Sequence, residues 1–256
     1  TMKRAIISLA VFILLWWGLV RVFEVPAYLV PSPADLGAKA WFLTTQAGLF
    51  SHVPVTVFEI LAGFVIGTVV GVLTAVLFAR APLVELVLNP LIIFVQTAPK
   101  IAIAPLLLLW LGLGATPKIV LVAIVTFFPV LSNMLSALRS IDPNLLSLAR
   151  ILRMNPLQRL WRIELPQSLP LLFAGMKVGV TLAVTAAVIG ELMGARAGLG
   201  YLLSLGQETA DVGLVLVAVI LLSLVGYVLY LLLGIAERRM LSWHESREAL
   251  DALAVE

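Results

Sequence analysis

The chain has 256 residues, 62% of them hydrophobic and only 12% charged, with a mean hydropathy of +1.12. A soluble domain keeps roughly a quarter of its residues charged, so most of this surface must meet lipid, and no span-free stretch is long enough for a separate soluble domain. The lack of cysteine excludes disulfides, thiolate metal sites and cysteine nucleophiles, and the net charge of +3, spread by topology, is no nucleic-acid footprint.

The fold class expected is an all-α membrane protein, with about five to seven spans at ~20 apolar residues each. Lys3 and Arg4 precede the apolar run Ala5–Val20. Trp16, Trp17 and Arg21 follow without a small-x-small cleavage site, so 5–23 reads as an uncleaved first span. Pro31-Ser32-Pro33-Ala34-Asp35 is a turn and helix start, and Leu36, Ala40, Trp41 and Leu43 suggest a short interfacial helix. The second span covers 56–79, where Gly63, Gly67 and Gly71 line one face as a packing stripe.

Between Leu83 and Gly114 the apolar pattern is interrupted by Pro90, Pro99, Lys100 and Pro105. Proline removes a helical hydrogen bond, and such breaks survive at membrane depth only against protein or a wet cavity. The stretch therefore reads as a third span broken by prolines, walling a pathway. Spans at 119–138, 167–193 and 212–236 complete six, within one membrane domain over 1–256 that ends in a tail from 237.

Basic residues set the orientation. With the amino terminus inside, Lys3, Arg4, Arg80, Arg139, Arg150, Arg153, Arg159, Arg162, Arg238, Arg239 and Arg247 are cytoplasmic, against Arg21, Lys39, Lys118 and Arg196 outside. That asymmetry satisfies the positive-inside rule with both termini cytoplasmic. Ionisable groups at membrane depth cost at least ~2.5–3.5 kcal/mol and usually face a wet or protein-lined interior. Glu59, Lys100, Lys177 and Glu191 qualify. Lys177 reads as snorkelling. Lys100, with Gln96 and Thr97 beside it, is the pathway candidate, together with Glu59 and Glu191; a structural Glu59–Lys100 pair is an equal account of two of them. Gly198-Leu199-Gly200-Tyr201 fits a gate, a receptor contact or a turn before a surface helix.

The internal loop Arg139–Pro170 carries two helix starts, Asp142-Pro143 and Asn155-Pro156, each a capping residue followed by proline at the first turn. They predict two short amphipathic helices joined at a corner, the first with Leu145, Leu148 and Leu152 on one face, the second over Leu157–Ile163, with Pro166 and Pro170 ending the segment. By charge alone the loop could lie on anionic lipid. Two capped helices are more structure than that requires and suggest a protein partner.

This segment resembles the EAA loop of permease subunits of ABC importers: E-A-A, three residues, G, nine residues, I-x-L-P. Here Ser147-Leu148-Ala149, Arg153 and Ile163-Glu164-Leu165-Pro166 keep the spacing, with arginine in the glycine position. The resemblance extends over about 30–243. It includes Pro31-Ser32-Pro33, Ala104-Pro105-Leu106, Leu109-Trp110-Leu111-Gly112, Phe127-Phe128-Pro129, Gly175-Met176-Lys177, Gly198-Leu199-Gly200 and Trp243. These look like the branch importing nitrate, sulfonates, taurine and vitamin precursors. Gln96 to Pro105 and Leu172 to Lys177 look most like permeases for pyrimidine thiamine precursors or riboflavin.

The resemblance implies a type I importer permease fold, with helices at 142–163 coupling to an ATPase through Ser147, Ala149, Arg150, Arg153, Arg159, Ile163, Leu165 and Pro166. It further implies two ATPase subunits, which use the ATP and magnesium, an extracytoplasmic substrate-binding protein and a bacterial or archaeal inner-membrane location. A second copy of the chain is expected, because a pathway on a two-fold axis needs two halves. No cofactor is expected in this chain. Gly112–Lys118 lacks the second glycine and hydroxyl residue of a Walker A loop, no convincing Ser/His/Asp set or carboxylate pair appears, and His52 and His244 lack ligand-spaced partners. The chain is thus expected not to be an enzyme. An ion-coupled transporter or channel, or a membrane scaffold, are the alternatives.

Overall fold

The computed structural model describes residues 2–45 and 48–241, with the side chains of all of these except residues 2–6 and 9. The side chains of Lys3 and Arg4, and Trp243, His244, Arg247 and the expected tail beyond 241, therefore lie outside the described residues. The regular structure is helical: α1 (Met2–Val22), α2 (Pro33–Thr45), α3 (Leu49–Arg80), α4 (Pro82–Thr97), α5 (Lys100–Leu111), α6 (Thr116–Arg139), α7 (Pro143–Ile151) and α8 (Pro156–Arg159). A π-helical turn, Leu160–Glu164, leads into α9 (Leu165–Leu192), followed by α10 (Leu199–Glu208) and α11 (Val212–Met240).

Among the described residues, four stretches are long and apolar enough to cross a membrane: Leu49–Arg80, Thr116–Arg139, Pro156–Leu192 and Val212–Met240. A fifth is counted if α4 and α5, bent by 100° at their junction, act as one. The apolar part of α1 among the described residues, Ala10–Val22, is shorter, so the expected six is not reached on length and composition alone. Of the three prolines expected to interrupt the 83–114 stretch, only Pro99 lies at the break. Pro90 and Pro105 lie inside α4 and α5. Ala98, at ψ 139°, takes the extended conformation that a following proline imposes, and this ends α4. Likewise, Pro166 and Pro170 do not end the loop, because α9 begins at Leu165 and runs through both.

The chain divides into two compact units, residues 1–58 with 188–224, and residues 59–187 with 225–256. In the second, α3 and α6 meet along the glycine stripe. A Cβ on Gly63 would lie 2.5 Å from the Val122 Cβ, and one on Gly67 would lie 2.5 Å from the Ala123 carbonyl oxygen. Close backbone approach of this kind substitutes for a hydrophobic driving force in lipid. Ala75, Phe78, Val130, Leu131, Met134 and Leu172, from α3, α6 and α9, form a buried cluster there. Outward-facing positions are apolar too: Phe94, Leu109 and Trp110 are 75%, 79% and 74% exposed. That inverts the soluble pattern and suits a lipid or protein-covered surface.

In the unit built from 1–58 and 188–224, α2 starts on a reciprocal cap. The Asp35 N–H donates to the Ser32 hydroxyl at 3.2 Å, and the Asp35 carboxylate accepts from the Ser32 hydroxyl at 2.7 Å and its N–H at 3.1 Å. These bonds hold the Asp35 carboxyl below its ordinary pKa. Lys39 of α2 pairs with Asp211, whose carboxylate also accepts from the Leu214 N–H at 3.0 Å at the start of α11. Burial pushes the Asp211 carboxyl up, but the Lys39 bond and charge and the Leu214 and Gly213 amides outweigh it and leave its pKa lowered.

Candidate functional site

The elbow between α6 and α9 is built by local chemistry. The Asp142 carboxylate accepts from the Asn144 N–H at 2.8 Å with Pro143 at the first turn, which starts α7. At its other end the Arg153 N–H donates to the Arg150 carbonyl and the Met154 N–H to the Ala149 carbonyl, both at 3.0 Å. Arg153 stands at φ +46°, the left-handed conformation that commonly closes a helix. The family-pattern glycine falls at this residue, so the geometry explains why glycine suits the position. Asn155 and Gln158 then form a capping box, at 2.7 and 3.0 Å, to start α8.

The second elbow helix is not the free-standing Leu157–Ile163 expected. It continues through the π-helical turn into α9, so 156–192 is one helical rod. Ile163, Leu165 and Pro166 lie where that turn enters α9. On α7 Ala149 is buried, whereas Leu148 and Leu152 are exposed together with Ile151, which is 77% exposed. Leu157 and Trp161 add to this apolar surface, each 63% exposed, and Arg150, Arg153 and Arg162 are exposed around it. The Ser147 hydroxyl donates to the Pro143 carbonyl at 2.9 Å and accepts weakly from Arg150 at 3.3 Å.

Arg159 is turned differently. Its Nε donates to the Glu164 carboxylate, which is buried and also accepts from Nη2 of Arg80 at 2.7 Å. Arg80 is the last residue of α3, and its Nη2 also lies 3.4 Å from the Pro156 carbonyl. Sequence reasoning counted Arg80 only for topology and passed over Glu164. The available signal was a lone acid among Arg150, Arg153, Arg159 and Arg162.

The expected pathway residues are placed as follows. Glu59 is 1% exposed and pairs with Lys118 of α6, not with Lys100, which corrects the expected pairing. Lys118 reads in sequence as an outer-loop cation but is buried in the first turn of α6. Lys100 is half-buried, and its ammonium donates to the Gln96 carbonyl. Gln96 and Thr97 are exposed, with the Thr97 hydroxyl bonded to the Phe94 carbonyl at 3.0 Å. Lys177 does not simply snorkel: it pairs with Glu237 of α11 and lies 5.9 Å from the Tyr230 ring centroid.

Glu191, also 1% exposed, caps α10 from across a turn. Its carboxylate accepts from the Thr56 hydroxyl at 2.6 Å and from the Gly200 N–H. Thr56 in turn accepts from the Leu199 N–H at 2.8 Å, and His52 Nδ1 accepts from the Gly198 N–H at 3.1 Å. Three orphan amides of a helix start are thereby satisfied. A Cβ on Gly198, which has φ +117°, would collide with the Glu191 carboxylate. Gly198 is therefore the cap and Leu199-Gly200 the first turn of α10, closed by nearby Glu191 and by His52 and Thr56 from far along the chain.

Residues 67–242 match the family described as binding-protein-dependent transport system inner membrane component. The riboflavin transport system permease protein RibX of Chloroflexus aurantiacus is 34% identical over 240 residues, covering 94% of this chain and 90% of that protein. A putative aliphatic sulfonates transport permease protein, SsuC of Bacillus subtilis, is 29% identical over 239 residues, covering 93% and 87%. A solved inward-facing structure of the MetNI methionine ABC transporter has the same fold, with a TM-score of 0.60 at 22% identity, over 78% of this chain and 96% of that one. The chain belongs to the binding-protein-dependent transport system inner membrane component family and is an ABC transporter permease.

Proposed function

We propose that two copies of this chain form the translocation pathway of an ATP-driven importer, working by alternating access. Each copy contributes six spans, α1 being the first and the bent α4–α5 pair the third, with both termini cytoplasmic. Two ATPase subunits bind ATP and magnesium and grip the elbow formed by α7 and α8, while an extracytoplasmic binding protein delivers the solute. This chain hydrolyses nothing itself.

The observation that carries this reading is the surface of the elbow. Ile151, Leu152, Leu157 and Trp161 are left exposed along the two capped helices and the turns that follow them, with Arg150, Arg153 and Arg162 around them. An apolar centre with basic flanks suits a protein groove with an acidic rim. Gln96, Thr97 and Lys100, at the α4–α5 break, are the proposed pathway groups. Glu59 and Glu191 each act within their own compact unit by tying helices together, since each already has close local partners. That placement weakens an ion-coupled transporter using both carboxylates as a relay.

Riboflavin is the solute favoured by the 34% identity to a riboflavin permease. A pyrimidine thiamine precursor, sulfonate, taurine or nitrate follow. The test is uptake into proteoliposomes holding the chain with its ATPase and binding protein. Riboflavin accumulation that requires ATP and ignores membrane potential is expected. Accumulation driven by potential without the ATPase would contradict the reading.

A further inference from the structure

The π-helical turn Leu160–Glu164 breaks an otherwise regular rod, and its consequence is local. In an α-helix the residue next beneath Arg159 on the same face is Ile163. A turn bonded from residue i to i+5, as the Leu165 N–H to Leu160 carbonyl bond shows here, brings the fifth residue round instead. Glu164 is that residue, and Arg159 Nε reaches it. The same carboxylate, 5% exposed, takes a second guanidinium from Arg80. Arg80 ends α3, and its Nη2 also touches the Pro156 carbonyl at the start of α8 at 3.4 Å. One buried acid thus joins the elbow, the head of α9 and the foot of α3. A buried carboxylate held by two arginines is costly to leave with either one missing, so the three elements favour moving together.

We propose that Glu164 is a positioning residue for transport: through Arg80 and Arg159 it passes displacement of the elbow to α3 as well as to α9. Elbow and α9 are already one chain of helix, so α3 is the element that would be left behind without it. The inference rests on the importer reading above, because it needs an ATPase to move the elbow. Glu164→Gln keeps the shape and removes the charge; Glu164→Asp keeps the charge.

The chain has no cysteine of its own, so spin labels go only where they are introduced. Asn144→Cys on the elbow and Ala79→Cys at the foot of α3 are both exposed sites. In the assembled complex with its ATPase, distances between the two copies are measured by pulsed electron resonance, before and after ATP, magnesium and vanadate. With Glu164 present, both label pairs shift. In Glu164→Gln the elbow pair still shifts and the α3 pair no longer does, and Glu164→Asp restores it. An α3 shift unchanged in Glu164→Gln overturns the proposal. So does loss of the elbow shift itself, which would make Glu164 part of docking or folding. If no ATPase assembles with the unaltered chain, or its elbow pair does not move, the importer reading fails and this inference with it.

Discussion

Arg153 holds a left-handed backbone at φ +46°, which costs a residue with a side chain roughly 1–2 kcal/mol. Arg153→Gly should therefore raise the thermal midpoint of the detergent-solubilised protein, by about 1 kcal/mol of stability. Arg153→Val, β-branched at the same angle, should lower it. Asp211 gives a pH-dependent counterpart. Its folded pKa is lowered, so the Lys39 tie contributes fully above the ordinary value of 3.8 and is lost as pH falls through the folded value. Both partners are about a third exposed, which keeps the effect below about 1 kcal/mol. The stability gap between the unaltered chain and Asp211→Asn, read by thermal unfolding, should be present at neutral pH and close on acidification. Legibility in sequence divides at this scale by chain distance. Asp142 and Asn155 act on amides two or three residues away, and their dipeptides with proline announce it. Glu59 with Lys118, Glu191 with Thr56, and Glu164 with Arg80 are joined only by the packing of helices, so no local pattern names the partner.

At the scale of elements, the contact of α3 with α6 grades the three stripe glycines. A Cβ on Gly67 would meet backbone at 2.5 Å and one on Gly63 the Val122 Cβ at 2.5 Å, whereas on Gly71 the nearest atom is 3.0 Å away. Gly67→Ala and Gly63→Ala should each destabilise by about 1–3 kcal/mol, and Gly71→Ala by less, as measured by thermal unfolding in one detergent. The long apolar helices were legible because lipid demands unbroken apolar runs. The 83–114 stretch was legible only as irregular. Pro90, Pro99 and Pro105 look alike in sequence, yet two are accommodated within helices and one turns the chain by 100°. The fusion of α8 with α9 was hidden for the opposite reason, since Pro166 and Pro170 fall in the early part of the helix rather than after its end.

For the whole molecule, the fold supplies long membrane helices and one elbow whose apolar residues face outward. Family membership accounts for both, and the elbow's spacing had already carried the resemblance. Which solute passes was not legible, because the proposed pathway groups, Gln96, Thr97 and Lys100, are generic polar ones. The central claim is that a separate ATPase grips the elbow. It is tested most directly by purifying the chain from its native membranes and measuring retained ATP-hydrolysing partner, for the unaltered chain and for Ile151→Asp, which places a charge at an exposed apolar position without touching the core. The account predicts an ATPase bound to the unaltered chain and retention reduced at least about tenfold in Ile151→Asp, the scale of a hot-spot loss, at unchanged thermal stability. An unaltered chain that carries no ATPase, or equal retention by the variant, would contradict it.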